Sequence, residues 1–474
     1  MSTHTRRSLL ALSGAISAAA VGAIAFGTPA AADGTGVSAE SIRKRLHELG
    51  GDITNPVTRH RLIPPNSSRT AIAVGRPRAR DEALAALRAL SGSDLQPTGQ
   101  YLPAGRAIVV NVNAVDGKLP TLLVSAPSSH PDEEFADPRS HPLTPGRNEV
   151  TDPGGGLAYL SLEGDGELAI VEFSSGTVLA PWLLQGETTA EQFREQLSSR
   201  PDSPQVELVS PYAMVTVTRE AMTEYLAQDQ ERILGLLEQV IARHAATSGM
   251  DSSAAQHHRP VSTFHLVESP RMPDGAGAYA THGWTAYPRT YMDRLLSVEG
   301  LNSNGWGVWH ELGHQHQQFP YKPSATTEVT VNIYSLAIQR ELGLESNLTK
   351  PDDNGASQYD LVWPKLGTDG LSFLDDFGGM EMLVQYQQLT LAYGEDFWPE
   401  VHKLVRVERP DGGDFDDNAW RFHLLMVYTS RVAGEDLRDF YRRWGMSVDP
   451  RTDAELDDLG LPLPAVDPST LRED

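Results

Sequence analysis

Two histidines four residues apart, with a glutamate beside the first, are the best-spaced chemistry in this chain: His310-Glu311-Leu312-Gly313-His314. On a helix, residues four apart stack on one face, so His310 and His314 can present two imidazoles to one metal ion. Glu311 stands about 100° round the helix from His310. From there a carboxylate reaches a water beside the metal without ligating the metal, which is the place for a general base. The pattern constrains only three positions, and a solvated helix face with a histidine pair is the bland alternative. What surrounds it has to decide.

A zinc hydrolase needs a third protein ligand and one coordination position left for water. Gln317 and Pro320 stand where a metzincin would carry Gly and His, which excludes that arrangement. A gluzincin takes its third ligand from a glutamate on a later helix. After the Phe319-Pro320-Tyr321-Lys322-Pro323 turn, Thr326 or Thr327 can cap a helix on which Val329, Ile333 and Leu336 repeat at helical spacing. Glu328, the first carboxylate after the motif, falls in its first turn and is the expected third ligand; the plain alternative is an acid that complements the helix dipole. Asn332, one turn on, is placed to hydrogen-bond a ligand. His316 faces elsewhere on its helix and is read as structural.

The run Gly305–Gln317, followed by Glu328–Leu336, resembles the M60 (enhancin-like) zinc metallopeptidases, whose motif is HExxH with a downstream glutamate ligand. Upstream, Ser93–Gly99 and Tyr101–Gly105 resemble the opening of the same region, so the likeness spans residues 93 to 340 and weakens through the C-terminal helices. Carried over residue by residue, it implies His310, His314 and Glu328 as ligands of one zinc ion and Glu311 as base. It also implies a substrate class, mucins and other O-glycosylated proteins. Tyr321-Lys322-Pro323-Ser324-Ala325 departs from the Trp- and Gly-rich turn expected there, which puts the local substrate surface in question.

The chain has 474 residues, enough for several domains, and a net charge of −24 that argues against nucleic acid or anionic lipid as partner. Residues 1–32 read as an export signal: Arg6-Arg7, an apolar stretch to Phe26, and Ala30-Ala31-Ala32 before Asp33, with the paired arginines resembling a twin-arginine signal. With no cysteine, lipoprotein anchoring and disulfide bracing are impossible. The expectation is a secreted, monomeric protein with no membrane insertion after signal removal.

The expected architecture is α+β and multidomain: a β-sandwich-like module, then a mainly helical zincin domain of gluzincin type with a helical C-terminal part. Residues 33–92 read as helices near Ser41–Leu49 and Asp81–Leu90 with a Pro64-Pro65 connector. Residues 93–187 read as a β-rich module with strands at Ala107–Val112, Leu119–Ser125, Leu157–Leu162 and Leu168–Phe173. The Ala126–Pro145 stretch reads as a loop whose His130 and His141 are not ligands. Residues 188–445 read as the catalytic domain, including a long amphipathic helix after Thr218 and helices at Asn418–Val432 and Glu435–Arg443. Residues 446–474 read as a loosely ordered acidic tail.

These readings give an endopeptidase in which zinc lowers the pKa of a water and Glu311 moves its proton to the leaving amine. His282 or Tyr279 would help stabilise the oxyanion, and Trp306, Trp284 or Trp420 would stack on a sugar. A non-catalytic glycan-binding or adhesion protein, or a peptidase with no glycan requirement, are the alternatives.

Overall fold

The computed structural model describes residues 38–64, 67–414 and 416–473, so the export-signal reading of residues 1–32 lies outside the described residues. The N-terminal half holds β1 (Thr70–Val74), β2 (Gln96–Leu102), β3 (Ala107–Ala114), β4 (Thr121–Val124), β5 (Arg139–Pro142), β6 (Gly146–Thr151), β7 (Gly156–Ser161), β8 (Leu168–Ser175) and β9 (Val178–Leu179). They form two sheets, ordered β1-β8-β3-β6 and β5-β4-β7-β2-β9. Every pairing in them is antiparallel. On β3 the side chains alternate as a half-buried strand must, with Ile108, Val110 and Val112 turned inward. There they meet Leu122, Val124 and Leu160 of the facing sheet, one core between two sheets.

β1 comes from the segment read as helices and a linker. All five of its residues are buried, because the Ala39–Leu49 and Pro56–Leu62 helices cover its outer face through Ile42 and Leu62. A strand covered on both faces shows no alternation, which hid it from a periodicity reading.

The second half is less helical than its pattern implied. β10 (Trp182–Leu184), β11 (Gln205–Val209), β12 (Ala213–Thr218), β13 (Phe264–Glu268), β14 (Tyr279–Ala280) and β15 (Thr285–Tyr287) make a six-stranded mixed sheet ordered β10-β11-β12-β13-β15-β14. Its face packs on the Gln230–Thr247 helix and on the Trp306–His314 helix that carries the motif, around Val215, Leu266, Leu237, Val308 and Leu312. The molecule is therefore a mixed α/β protein of several sheets and helices.

Helices Gly379–Tyr393, Phe397–Glu408 and Asn418–Ala433 share a third core with Trp444. The loose-tail reading of residues 446–474 is corrected here. Pro450–Leu459 is a helix capped by Asp449, and the backbone at Ser469 and Leu471 accepts hydrogen bonds from the buried Gln388 amide at 3.0 and 3.1 Å. The acids that suggested a solvated tail are used in pairing: Asp453 and Asp457, with Asp436, surround the Arg438 guanidinium at 3.1, 2.8 and 2.6 Å. His141 lies on β5 and bonds Asp152 at 2.8 Å.

Candidate metal centre

The motif helix starts after Gly305, where an added Cβ would lie 2.5 Å from the Trp309 indole nitrogen, and it ends at His314. Gly313 faces the following helical segment; a Cβ there would meet Val331 Cγ2 at 3.0 Å and the Val331 carbonyl at 3.2 Å. That close approach brings the Thr327–Thr330 turn, and Glu328 with it, over the two histidines.

His310 Nε2 and His314 Nε2 lie 3.1 Å apart, and Glu328 Oε2 lies 3.0 Å from the first and 3.3 Å from the second. The outer nitrogens are fixed by amides. His310 Nδ1 meets Asn332 Oδ1 at 2.8 Å, while Asn332 Nδ2 donates to the Glu328 carbonyl at 2.9 Å. His314 Nδ1 meets Gln317 Oε1 at 2.8 Å, while Gln317 Nε2 donates to Thr327 O and Thr330 Oγ1 at 2.8 and 2.9 Å. With both amide nitrogens spent on oxygens, the amide oxygens must face the rings, and each imidazole carries its proton on Nδ1. Both Nε2 lone pairs then converge on one carboxylate oxygen. Three acceptors this close repel one another, and a shared proton would relieve only one contact. A zinc ion at ~2.0–2.2 Å from each atom, in tetrahedral geometry, would set ligand edges of roughly 3.3–3.6 Å, a few tenths of an ångström beyond these separations. The donor set fits a divalent cation.

Without a cation, the same cluster is relieved by protons on Nε2: hydrogen bonding with protonated His310, then His314, holds the Glu328 carboxyl well below the usual carboxylate range. Burial works against charge on His310, but Glu328, Glu311 and Asn332 outweigh it and raise its pKa. Burial pushes the Glu311 carboxyl up, against the pull of both histidines; the residue is 7% exposed. That makes Glu311 a stronger base than a surface glutamate.

Glu311, His314 and Glu328 line a cavity of about 660 Å³. One wall is β14, the edge strand of the six-stranded sheet. The opposite wall comes from the N-terminal half and was not found from the sequence. The helix read over Asp81–Leu90 stops at Ala85, Leu87 turns to φ 59°, and the chain then pairs with the stretch after the motif. Ala89 N donates to Gln317 O, and Phe319 N to Leu87 O, each at 2.9 Å. Gln317 as an anchor was missed too, although its place three residues after His314 was a usable signal.

The substrate-contact candidates divide. His282 lines the cavity, and burial lowers its pKa, with Arg80 adding to the effect. Tyr279 also borders it, but its hydroxyl bonds Ser128 of the sandwich half. Trp284 Nε1 donates to the same Ser128 at 3.1 Å, Trp306 packs between two cores, and Trp420 Nε1 donates to Asp411 O at 2.6 Å. None of the three tryptophans lines the cavity.

Residues 176–445 match the family described as Peptidase M60, enhancin and enhancin-like, and residues 77–172 match the N-terminal domain of M60-like peptidases. Accessory colonization factor AcfD of Vibrio cholerae is 22% identical over 401 residues, 74% of this chain and 25% of that protein. The chain therefore spans a quarter of that relative's length. A functionally unknown conserved protein from Bacillus anthracis superposes with a TM-score of 0.77 at 27% identity, covering 85% of this chain and 81% of that one. The M60 catalytic domain of Clostridium perfringens ZmpC, solved in complex with the sialyl T antigen, shares the fold: TM-score 0.70, 18% identity, 84% and 80% covered.

Proposed function

This chain belongs to the M60 peptidases, enhancin and enhancin-like, and on that footing we propose that it is a secreted zinc-dependent endopeptidase of O-glycosylated proteins. The convergence of His310, His314 and Glu328 on one point, with Glu311 buried beside it, carries the reading. Zinc held there would supply Lewis-acid strength, polarising the scissile carbonyl and making a water acidic enough to attack at neutral pH. The residues do the rest. Glu311 takes the proton of the attacking water and returns it to the departing amine. Asn332 and Gln317 keep both imidazoles turned so that Nε2 faces the reaction. The edge strand β14 offers backbone groups to an extended substrate, which would add to the sheet as another strand and lie across the motif helix.

The glycan part rests on the fold shared with a domain solved with a sialyl T antigen. Secretion rests on residues 1–32, and no helix among the described residues is long and apolar enough to cross a membrane. A peptidase without glycan requirement is the second reading, favoured by one observation: no tryptophan lines the cavity. A non-catalytic adhesion protein would have no use for a buried Glu311. Glycosylated and enzymatically deglycosylated mucin, incubated side by side with the zinc-loaded protein, separate the three. Cleavage of the glycosylated form alone supports the proposal, cleavage of both supports the second reading, and binding without cleavage contradicts both.

A further inference from the structure

The sheet edge beside the cavity has a neighbour that the zinc chemistry does not use, and the sandwich half supplies it. β14 is the edge of its sheet, and side chains along it alternate between two faces. Ala278 packs with Leu266, Tyr287, Val308 and Leu312, on the face of the motif helix. Tyr279 packs with Val267, Trp284 and Ala286, on the opposite face. Ala278 and Ala280 line the cavity, and Tyr279 borders it. The Tyr279 ring is met from beyond the sheet by Phe135, with 4.6 Å between ring centres.

Phe135 belongs to the long connection between β4 and β5, and that connection is tied down. Ser128 Oγ bonds the Tyr279 hydroxyl and accepts from Trp284 Nε1 at 3.1 Å. Ser128 N donates to Ala136 O at 2.8 Å, and Glu134 pairs with Arg271 at 3.2 Å. Of the six non-glycine residues with a left-handed φ among the described residues, three lie here: Ser125 at 86°, Ser128 at 51° and Phe135 at 55°. That backbone conformation is unfavourable for a bulky residue. Burial of the ring would offset it, yet Phe135 stays 46% exposed. Strain held at an open aromatic face, next to the free edge of the sheet, is the mark of a surface kept for a ligand.

We propose that Phe135 forms an apolar subsite, which receives an aliphatic or aromatic side chain of a peptide strand added to β14. The proposal rests on the peptidase reading above and on that strand addition. Along an added strand, successive side chains turn to opposite faces. Those on the motif-helix face enter the cavity beside Ala278 and Ala280, and those between them turn toward Tyr279 and Phe135. Selection for an apolar residue therefore falls at alternate positions flanking the scissile bond, where the ring and the side chain remove each other from water.

A set of synthetic peptides tests it, all carrying the same O-glycosylated threonine and differing by leucine against serine at one position at a time on either side of the scissile bond. Their kcat/KM would be compared on wild type, and their affinity measured by calorimetry on the zinc-loaded Glu311→Gln variant. Leucine should be favoured roughly 5- to 20-fold, at one position or at two positions two residues apart. Phe135→Gly should bring that ratio close to one with little change in melting temperature, because glycine suits a φ of 55°. Phe135→Leu, which keeps an apolar group there, should retain most of the ratio. A ring that only braces its loop gives the reverse: Phe135→Gly lowers the melting temperature and keeps the wild-type ratio, which overturns the subsite. Equal kcat/KM and affinity across the whole set overturns it too. If none of the peptides is cut, the peptidase reading fails, and the affinities of Glu311→Gln still decide the subsite.

Discussion

At the scale of single residues, the two amides behind the histidines matter almost as much as the ligands. Asn332 and Gln317 each spend their nitrogen on backbone or hydroxyl oxygens and so have only an oxygen left for the ring. Asn332→Ala and Gln317→Ala should each lower zinc affinity roughly 10- to 100-fold, because the imidazole loses its fixed tautomer and orientation. Glu328→Gln should cost more than either, since it removes the only charged group of the proposed ligand set, and His310→Ala should leave no retained zinc. Competition with a chromogenic chelator ranks the four variants. Glu328→Gln binding zinc as tightly as wild type would place the third ligand elsewhere. The chemical residues were the most legible part of the sequence, because one helix at fixed spacing determines their relation. Glu328 could be found because nothing acidic precedes it after the motif. Phe135 and Tyr279 could not be seen as neighbours, since only the folded chain brings two residues so far apart in sequence together.

At the scale of elements, the decisive contact is between the motif helix and the chain that carries Glu328. Gly313 permits it: a methyl group there would press on Val331 Cγ2 and its carbonyl at 3.0 and 3.2 Å. Gly313→Ala should therefore destabilise the protein by about 1–3 kcal/mol, and it should weaken zinc binding as well, because relief comes by moving Glu328 away. A calorimetric melt with and without zinc measures both; an unchanged melt would mean the two elements are less closely coupled than this geometry implies. The antiparallel sandwich strands were legible where one face met the core and the other met water, as on β3. The six-stranded sheet was not, because its strands are two to six residues long and nearly all their residues are buried, with at most one position per strand open to solvent. The wall at residues 86–90 escaped for another reason: it needs a positive φ at Leu87 and pairing with residues 317–319, and neither leaves a local mark.

At the scale of the whole molecule, the sandwich and the catalytic sheet are joined by a core around Tyr159, Leu184, Val209 and Met214. Beside it lies a buried polar group. Thr216 Oγ1 bonds His265 Nε2 at 2.8 Å and stands 3.4 Å from Glu207 Oε1 and from the Tyr159 hydroxyl. Burial pushes Glu207 from 4.5 up to about 7. The folded state thus binds this proton more tightly than the unfolded chain, and the stability it carries is lost as pH rises from about 4.5 through about 7. Glu207→Gln should stabilise the protein at pH ~8, by about 3 kcal/mol at most, and change little at pH ~4. His265, held down to about 3 by burial, slopes the opposite way as pH falls below 6.5, so the difference between variant and wild type, not the wild-type curve alone, is the quantity to follow. A variant that is less stable at both pH values would show that Glu207 is ionised and paired in the fold.

With Glu311 proposed as the base of a zinc peptidase, a single substitution separates metal binding from proton transfer. Glu311→Gln leaves His310, His314 and Glu328 in place and replaces an oxygen that accepts a proton with an amide that cannot. Zinc content and hydrolysis of an O-glycosylated peptide, measured on the same preparation, should give one zinc per chain and turnover reduced about 10²- to 10⁴-fold. Wild-type turnover with zinc in place would mean that Glu311 is not the base.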